Sequence, residues 1–237
     1  KTPFIKWILS NVDKKFNVLI SSRGYRSKWE KKGGLIYAGD TGEPDLIGDE
    51  NIEVLGYLKS GAITVGKDRR NQISKALSQK SYELIILDDG FQHLRIERNL
   101  NIVLFNTLIS DNDLRVFPAG YLREGLASLL EADLVILTNC DFKKASNGEK
   151  FLMKRVSPHL SKTTPVYRSE VILKKIYNIK SNEVINDHSS REFIVVCGVS
   201  NPEKVLELLR KSGVKFSDFV FFPDHHHYNK KSYQKIQ

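Results

Sequence analysis

Apolar positions along this chain follow two rhythms. Phe4, Ile5, Ile8 and Leu9 recur at helical spacing behind Pro3, so the pattern predicts a helix from residue 2 or 3. Short continuous apolar runs then predict strands at 18–21, 62–65, 83–88, 101–105, 134–138, 193–197 and 219–222. Helical patterns lie between them at 51–58, 70–79, 122–131, 150–160 and from Asn201-Pro202 to Lys211. Residues 26–48 are polar and glycine-rich and predict one long functional loop. Residues 166–179 read as extended, two strands joining two lobes. Alternating strands and helices predict an α/β fold, a parallel sheet covered on both faces. In such sheets ligands sit beyond the carboxyl ends of the strands. The stretch Ser161-Lys162-Thr163-Thr164-Pro165 places a domain boundary near residue 162.

Composition narrows the class. The chain has 237 residues, 41% hydrophobic and 27% charged, which excludes bulk disorder and a polytopic membrane protein. No run approaches the roughly 18 apolar residues of a spanning helix. Cys140 and Cys197 are too few and too far apart for a disulfide framework and read as small core residues. Net charge is +9, and residues 1–32 hold nine Lys or Arg against Asp13 and Glu30. That asymmetry points to an anionic partner: phosphates, nucleic acid or acidic headgroups.

Four clusters carry chemistry, and each also has a bland explanation. The strand 83–88 ends in Asp88-Asp89, the usual place for a carboxylate facing the Mg²⁺ of a nucleotide, although Asp also favours any turn. Adjacent carboxylates repel unless a cation lies near, and Gly90-Phe91-Gln92-His93 follows them. Asp49-Glu50 precedes a helix, where acids serve the helix dipole or, alternatively, supply a base and a metal-facing carboxylate. Asp224-His225-His226-His227 follows the last strand. Alternate residues of an extended segment face opposite ways, which favours one working histidine over a zinc site. Arg23, with Tyr25, Lys28, Trp29, Lys31 and Lys32 behind it, suits phosphate, a headgroup or stacked bases, or else a solvated loop. Lys1-Thr2 opening a helix has the form of the end of a phosphate loop, G-x-x-x-x-G-K-[ST]. The chain is therefore expected to be a fragment that starts inside such a loop.

Taken together, the stretches KTP at 1–3, SRGY at 22–25, GDE at 48–50, VGKDR at 65–69, ILDDGFQH at 86–93, FPAGYLRE at 117–124 and PDHHHY at 223–228 resemble the tetraacyldisaccharide 4'-kinases, the lipid A disaccharide kinases of Gram-negative bacteria. They appear in the family's order across nearly the whole chain, and ILDDGFQH is the most specific.

The resemblance implies a phosphate-loop kinase core and a smaller C-terminal α/β lobe joined by a two-stranded linker. It gives residues 1–162 to the core, without its N-terminal strand and Gly-rich loop, and 163–237 to linker and lobe. The reaction implied moves the γ-phosphate of ATP to the 4'-hydroxyl of tetraacyldisaccharide 1-phosphate. By position, Lys1 holds the phosphates and Thr2 meets Mg²⁺. Glu50 and Asp88 face the metal, with Asp89 beside them. Asp49 is the base, and His225 its partner. Arg23, Tyr25, Gln92, His93, Arg123 and Glu124 hold the acceptor. The expected cofactors are ATP and Mg²⁺. The expected partners are the lipid A precursor and a membrane surface, not nucleic acid, for a monomer on the cytoplasmic face of the inner membrane. Asn51 stands where the family usually has Pro. Two other classes compete: a phosphate-loop kinase or GTPase with a soluble substrate, and a basic nucleic-acid-binding module. The latter gives no reason for DDGFQH and GDE.

Overall fold

A computed structural model describes residues 1–12, 15–140, 145–199, 201–223, 226 and 228–236. Contacts group the chain into two compact units, Lys1–Asn101 and Ile102–Gln237, so the expected boundary near 162 falls inside the second.

The first unit contains helix α1 (Thr2–Asn11), strand β1 (Val18–Ser22), helix α2 (Trp29–Lys32), strand β2 (Gly34–Tyr37), helices α3 (Pro44–Ile47) and α4 (Asp49–Leu55), strand β3 (Gly61–Val65), helix α5 (Arg69–Gln79) and strand β4 (Leu84–Leu87). Its sheet runs β2-β3-β1-β4. β1 is central and parallel to both neighbours, with Val18 opposite Gly61 on one side and Leu84 on the other.

Strand alternation divides the apolar residues between two cores. Val18, Ile20, Ile63 and Val65 pack with Ile5 and Leu9 of α1 and with Val54 and Leu55 of α4. Leu19 and Ala62 turn the other way, onto Ile73 and Ala76 of α5. Leu19, Ile20 and Ile63 are essentially solvent-free. Burying each contributes about 1.5–3 kcal/mol.

The long loop expected over 26–48 is not one. It contains α2, α3 and the edge strand β2, which pairs antiparallel with β3. Ile36 enters the α1 core, while Leu35 and Tyr37 face α5. Four residues between glycines are too few to show a period, so pairing with β3 sets the structure here rather than local pattern.

The second unit holds strands β5 (Ile102–Asn106), β6 (Leu134–Thr138) and β7 (Val166–Arg168), a parallel sheet in that order, with helix α6 (Ala145–Val156) between β6 and β7. Its core joins Phe105, Val135, Leu137, Leu152 and Val156 with Cys140. Helix α7 (Pro202–Lys211) connects strands β8 (Glu192–Cys197) and β9 (Lys215–Phe221), a parallel pair, and helix α8 (Lys230–Ile236) follows. This is the smaller α/β lobe. Ahead of it Tyr177 and Val184 form an isolated antiparallel bridge, and among the described residues no paired strands lie between β7 and β8. Two expectations change. The helix expected at 122–131 is a 3₁₀ segment confined to Leu126–Glu131, because Gly125 precedes it in extended conformation. The extended stretch 166–179 pairs as a strand only over Val166–Arg168.

Candidate active site

Three parallel strands finish side by side. β1 runs into Arg23-Gly24-Tyr25, β3 into Gly66–Asp68, and β4 into Asp88-Asp89. Arg69, at the start of α5, ties these ends together. It is only 4% exposed, and its Nη1 donates to the Ser21 carbonyl at 3.1 Å and to the Asp88 carbonyl. The sequence contained a signal for this residue in VGKDR, but no chemical pattern assigned it a task. A buried guanidinium bonding two main-chain oxygens is visible only in three dimensions.

Lys1 lies at the same place. Its Nζ is 2.5 Å from Asp89 Oδ1. Asp89 adopts a left-handed backbone, φ 56°, which Asp tolerates better than most residues. Burial pushes the Asp88 carboxyl above the ordinary carboxylate range; Lys1 and Arg69 oppose the rise and Asp89 adds to it. A desolvated carboxylate of this kind gains from a cation.

Thr2 opens α1, with Pro3 in the first turn. Asp49 and Glu50 open α4, behind Gly48 at φ 92°. The two helices are joined by a Lys6–Glu53 pair at 2.5 Å, with Lys6 also 4.7 Å above the Tyr57 ring. Lys6 lies just over one turn into α1 and Glu53 one turn into α4, so both helices begin at the same end. Asn51 is buried. Its side chain donates to the Ile47 carbonyl at 2.6 Å, and its N–H to the Gly48 carbonyl at 3.1 Å.

The SRGY turn packs on this helix start. Gly24 has φ 63°, and a Cβ there would lie 2.2 Å from Val65 Cγ1, so only glycine fits. Arg23 donates from Nε to Glu30 Oε1 at 2.8 Å, and Glu30 also accepts the Arg26 N–H at 2.9 Å. Those two bonds, the Arg26 N–H first, hold the Glu30 carboxyl below its usual range. Arg23 and Arg26 stand 5.8 and 5.1 Å from the centre of the exposed Tyr25 ring.

Gln92 and His93 follow Asp89 in a turn that Arg98 braces. The Arg98 guanidinium donates to the carbonyls of Gly90, at 3.3 Å, and His93, at 2.9 Å. In the second unit Arg123 and Glu124 follow a closed loop in which Phe117 N–H donates to the Leu122 carbonyl at 2.8 Å. His225 lies outside the described residues. His226 stacks on Phe222, ring centres 4.5 Å apart, and its Nε2 is 2.8 Å from the buried Ser232 hydroxyl. Among the described residues no three Asp, Glu, His or Cys side chains lie close enough to hold a metal ion by themselves.

A lysine and a helix start meeting acids at the ends of parallel strands mark a phosphate-loop kinase core. A crystal structure of LpxK from Aquifex aeolicus in complex with ATP shares this architecture, with a TM-score of 0.71 and 27% identity over 97% of this chain and 68% of that one. The chain belongs to the tetraacyldisaccharide-1-P 4'-kinase family, whose model matches residues 1–237. A tetraacyldisaccharide 4'-kinase of Desulfotalea psychrophila is 32% identical over 92% of this chain, and one of Haemophilus influenzae 27% identical over all of it. The chain spans 62% and 64% of the length of those two relatives.

Proposed function

We propose that the protein transfers the γ-phosphoryl group of ATP to the 4'-hydroxyl of tetraacyldisaccharide 1-phosphate, a step of lipid A biosynthesis giving lipid IVA. The convergence of Lys1, Asp88 and Asp89 in a chain of this family carries the reading. Lys1, at the start of α1, neutralises phosphate charge. Asp49, at the start of α4, takes the proton of the acceptor hydroxyl, with His225 as its partner. Arg23 and Tyr25 offer a guanidinium and a ring face to an acceptor sugar phosphate. Gln92, His93, Arg123 and Glu124 complete acceptor binding.

The oxygen donors fit Mg²⁺. That ion is usually held by one or two carboxylates, with phosphates and water completing the shell. Thr2, Glu50 and Asp88 are assigned to it, with Asp89 beside them; bound there, it would offset charge on the transferring phosphoryl group. Residues 1–162 form the kinase core and 163–237 the linker and lobe. The protein acts as a monomer on the cytoplasmic face of the inner membrane. No helix among the described residues is long and apolar enough to cross a membrane, and the basic, aromatic segment 23–32 suits contact with anionic headgroups.

The test is transfer of label from ATP, with Mg²⁺, to tetraacyldisaccharide 1-phosphate in detergent micelles. Labelled lipid supports the reading. ATP binding without labelled lipid keeps the kinase core and moves the acceptor to another class.

A further inference from the structure

In the second unit, the connection from β5 to β6 carries a loop that turns aromatic side chains into solvent. Phe117 is 75% exposed and Tyr121 81%. Phenylalanine is normally a core residue, so its place here calls for a reason. Slack backbone is not that reason. Phe117 N–H donates to the Leu122 carbonyl at 2.8 Å, Leu122 N–H to the Arg115 carbonyl at 3.1 Å, and Tyr121 N–H to the Asp113 carbonyl at 3.0 Å. Gly120 closes the turn so tightly that a Cβ there would lie 2.4 Å from the Arg115 carbonyl oxygen. Leu114 is buried in the core of the unit, with Leu122 packed against it. One tied loop thus sends two leucines inward and two rings outward. Rings held out in this way lose little freedom when they meet a partner.

The charges of the loop indicate what that partner is. Its acids are engaged by the protein itself: Asp111 pairs with Arg155 at 3.6 Å, and Asp113 accepts from the Ser110 N–H at 2.7 Å and hydroxyl at 2.6 Å. Arg115 is exposed, two residues before Phe117. Aromatic rings beside a guanidinium match the interfacial layer of a bilayer, where rings lie at headgroup level and cations meet lipid phosphates. Arg123 and Glu124, assigned above to the acceptor, follow the rings directly in the chain. An acceptor with four acyl chains is held in lipid, so residues that grip its head must come to a lipid surface.

We infer that the loop 115–122 is a bilayer anchor, in which Phe117 and Tyr121 enter the interfacial layer of an anionic membrane and Arg115 meets its phosphates. The inference rests on the proposed lipid acceptor. It gives the second unit an apolar membrane contact of its own, different in kind from the basic segment 23–32 of the first.

The test is sedimentation with acceptor-free vesicles of phosphatidylcholine and phosphatidylglycerol, at low and high salt. Salt screens the lysines and arginines but not the rings, so binding at high salt isolates the loop. The unaltered protein should still bind there, and Phe117→Ser/Tyr121→Ser should bind about 10–100-fold more weakly, from the apolar area lost. Phe117→Trp/Tyr121→Trp should bind at least as well as the unaltered protein. Melting curves of all three should coincide, because the rings are exposed. No high-salt binding by the unaltered protein, or equal binding by the serine variant, would overturn the inference. Unchanged vesicle binding with a raised KM for the acceptor in detergent micelles would make the rings a subsite for the acceptor's own acyl chains and also overturn it. So would a dimer of the unaltered protein that the serine variant abolishes, since a second copy would then cover the rings. Ring-dependent vesicle binding without transfer of phosphate to the acceptor would sink the proposed function and leave the anchor standing, which separates the two ideas.

Discussion

Lys1 Nζ and Asp89 Oδ1 are 2.5 Å apart, so the lysine assigned to nucleotide phosphate already has an anionic partner in the protein. The pair is partly open to solvent, and such ion pairs stabilise by only about 0.2–1 kcal/mol. Lys1→Ala should therefore leave thermal stability nearly unchanged. Its phosphoryl transfer should fall by about 10²–10³-fold, the usual loss for one transition-state donor. Melting curves and single-turnover rates on the same sample check the split; a large drop in Tm would make Lys1 a structural residue.

Asp49 is the first residue of α4, where an acid also favours the helix dipole. Asp49→Asn keeps a cap-like polar side chain and removes the base. The expected outcome is a fall in kcat of about 10²–10⁴-fold with KM for ATP little changed. Full activity in a pH–rate profile of the variant would end the base assignment.

Asp88 supports a prediction about stability and pH. Burial raises its folded pKa above the unfolded value, despite Lys1 and Arg69. The ionised form is thus penalised by folding at neutral pH, and the penalty disappears as pH falls through the raised value towards the unfolded one. Asp88→Asn should raise Tm by a few degrees at pH 7, gain less near pH 4, and lose transfer activity. Calorimetry at the two pH values decides it, and a variant less stable at pH 7 would contradict the sign.

Arg69 bonds the Ser21 and Asp88 carbonyls from a buried position. Replacing it by Met keeps much of the volume and takes the guanidinium from the Asp88 carbonyl, while the Ser21 carbonyl still accepts the Asp88 N–H at 3.0 Å. Arg69→Met should lower stability by about 1–3 kcal/mol in urea titration, the usual cost of one unsatisfied buried group. Arg69→Lys should restore only part of this, since an ammonium cannot reproduce the fork. Recovery of full stability by lysine would show that charge alone matters there.

The parts of the fold visible in the sequence are those whose pattern is local. Val18–Ser21, Ala62–Val65 and the ELIILD run are continuous apolar segments, and each became a strand of the first unit's sheet. The carboxylates after β4 and the helix start at Lys1-Thr2 were legible because strand ends and helix starts have residue signatures. What escaped was set by distant partners. β2 exists through its pairing with β3, Glu30 matters because the chain folds it back onto Arg23, and Arg69 and Arg98 act on main-chain oxygens that no side-chain pattern announces. The expected helix at 122–131 failed for the opposite reason. Its apolar spacing is helical, but the extended Gly125 stops it from starting before Leu126.

The central position of β1 in its sheet ties the candidate site to the completion of folding. Lys1 and Arg23 flank this strand in sequence, yet Asp88 and Asp89 arrive only when Leu84–Leu87 pairs along it, and Arg69 only when Gly61–Val65 pairs on its other side. No local fragment of the chain contains a rudimentary nucleotide site. Non-local pairing is slow compared with helix formation, so α1 and α5 can form well before any phosphate can be held. If the proposed function holds, nucleotide recognition is a late reporter of assembly.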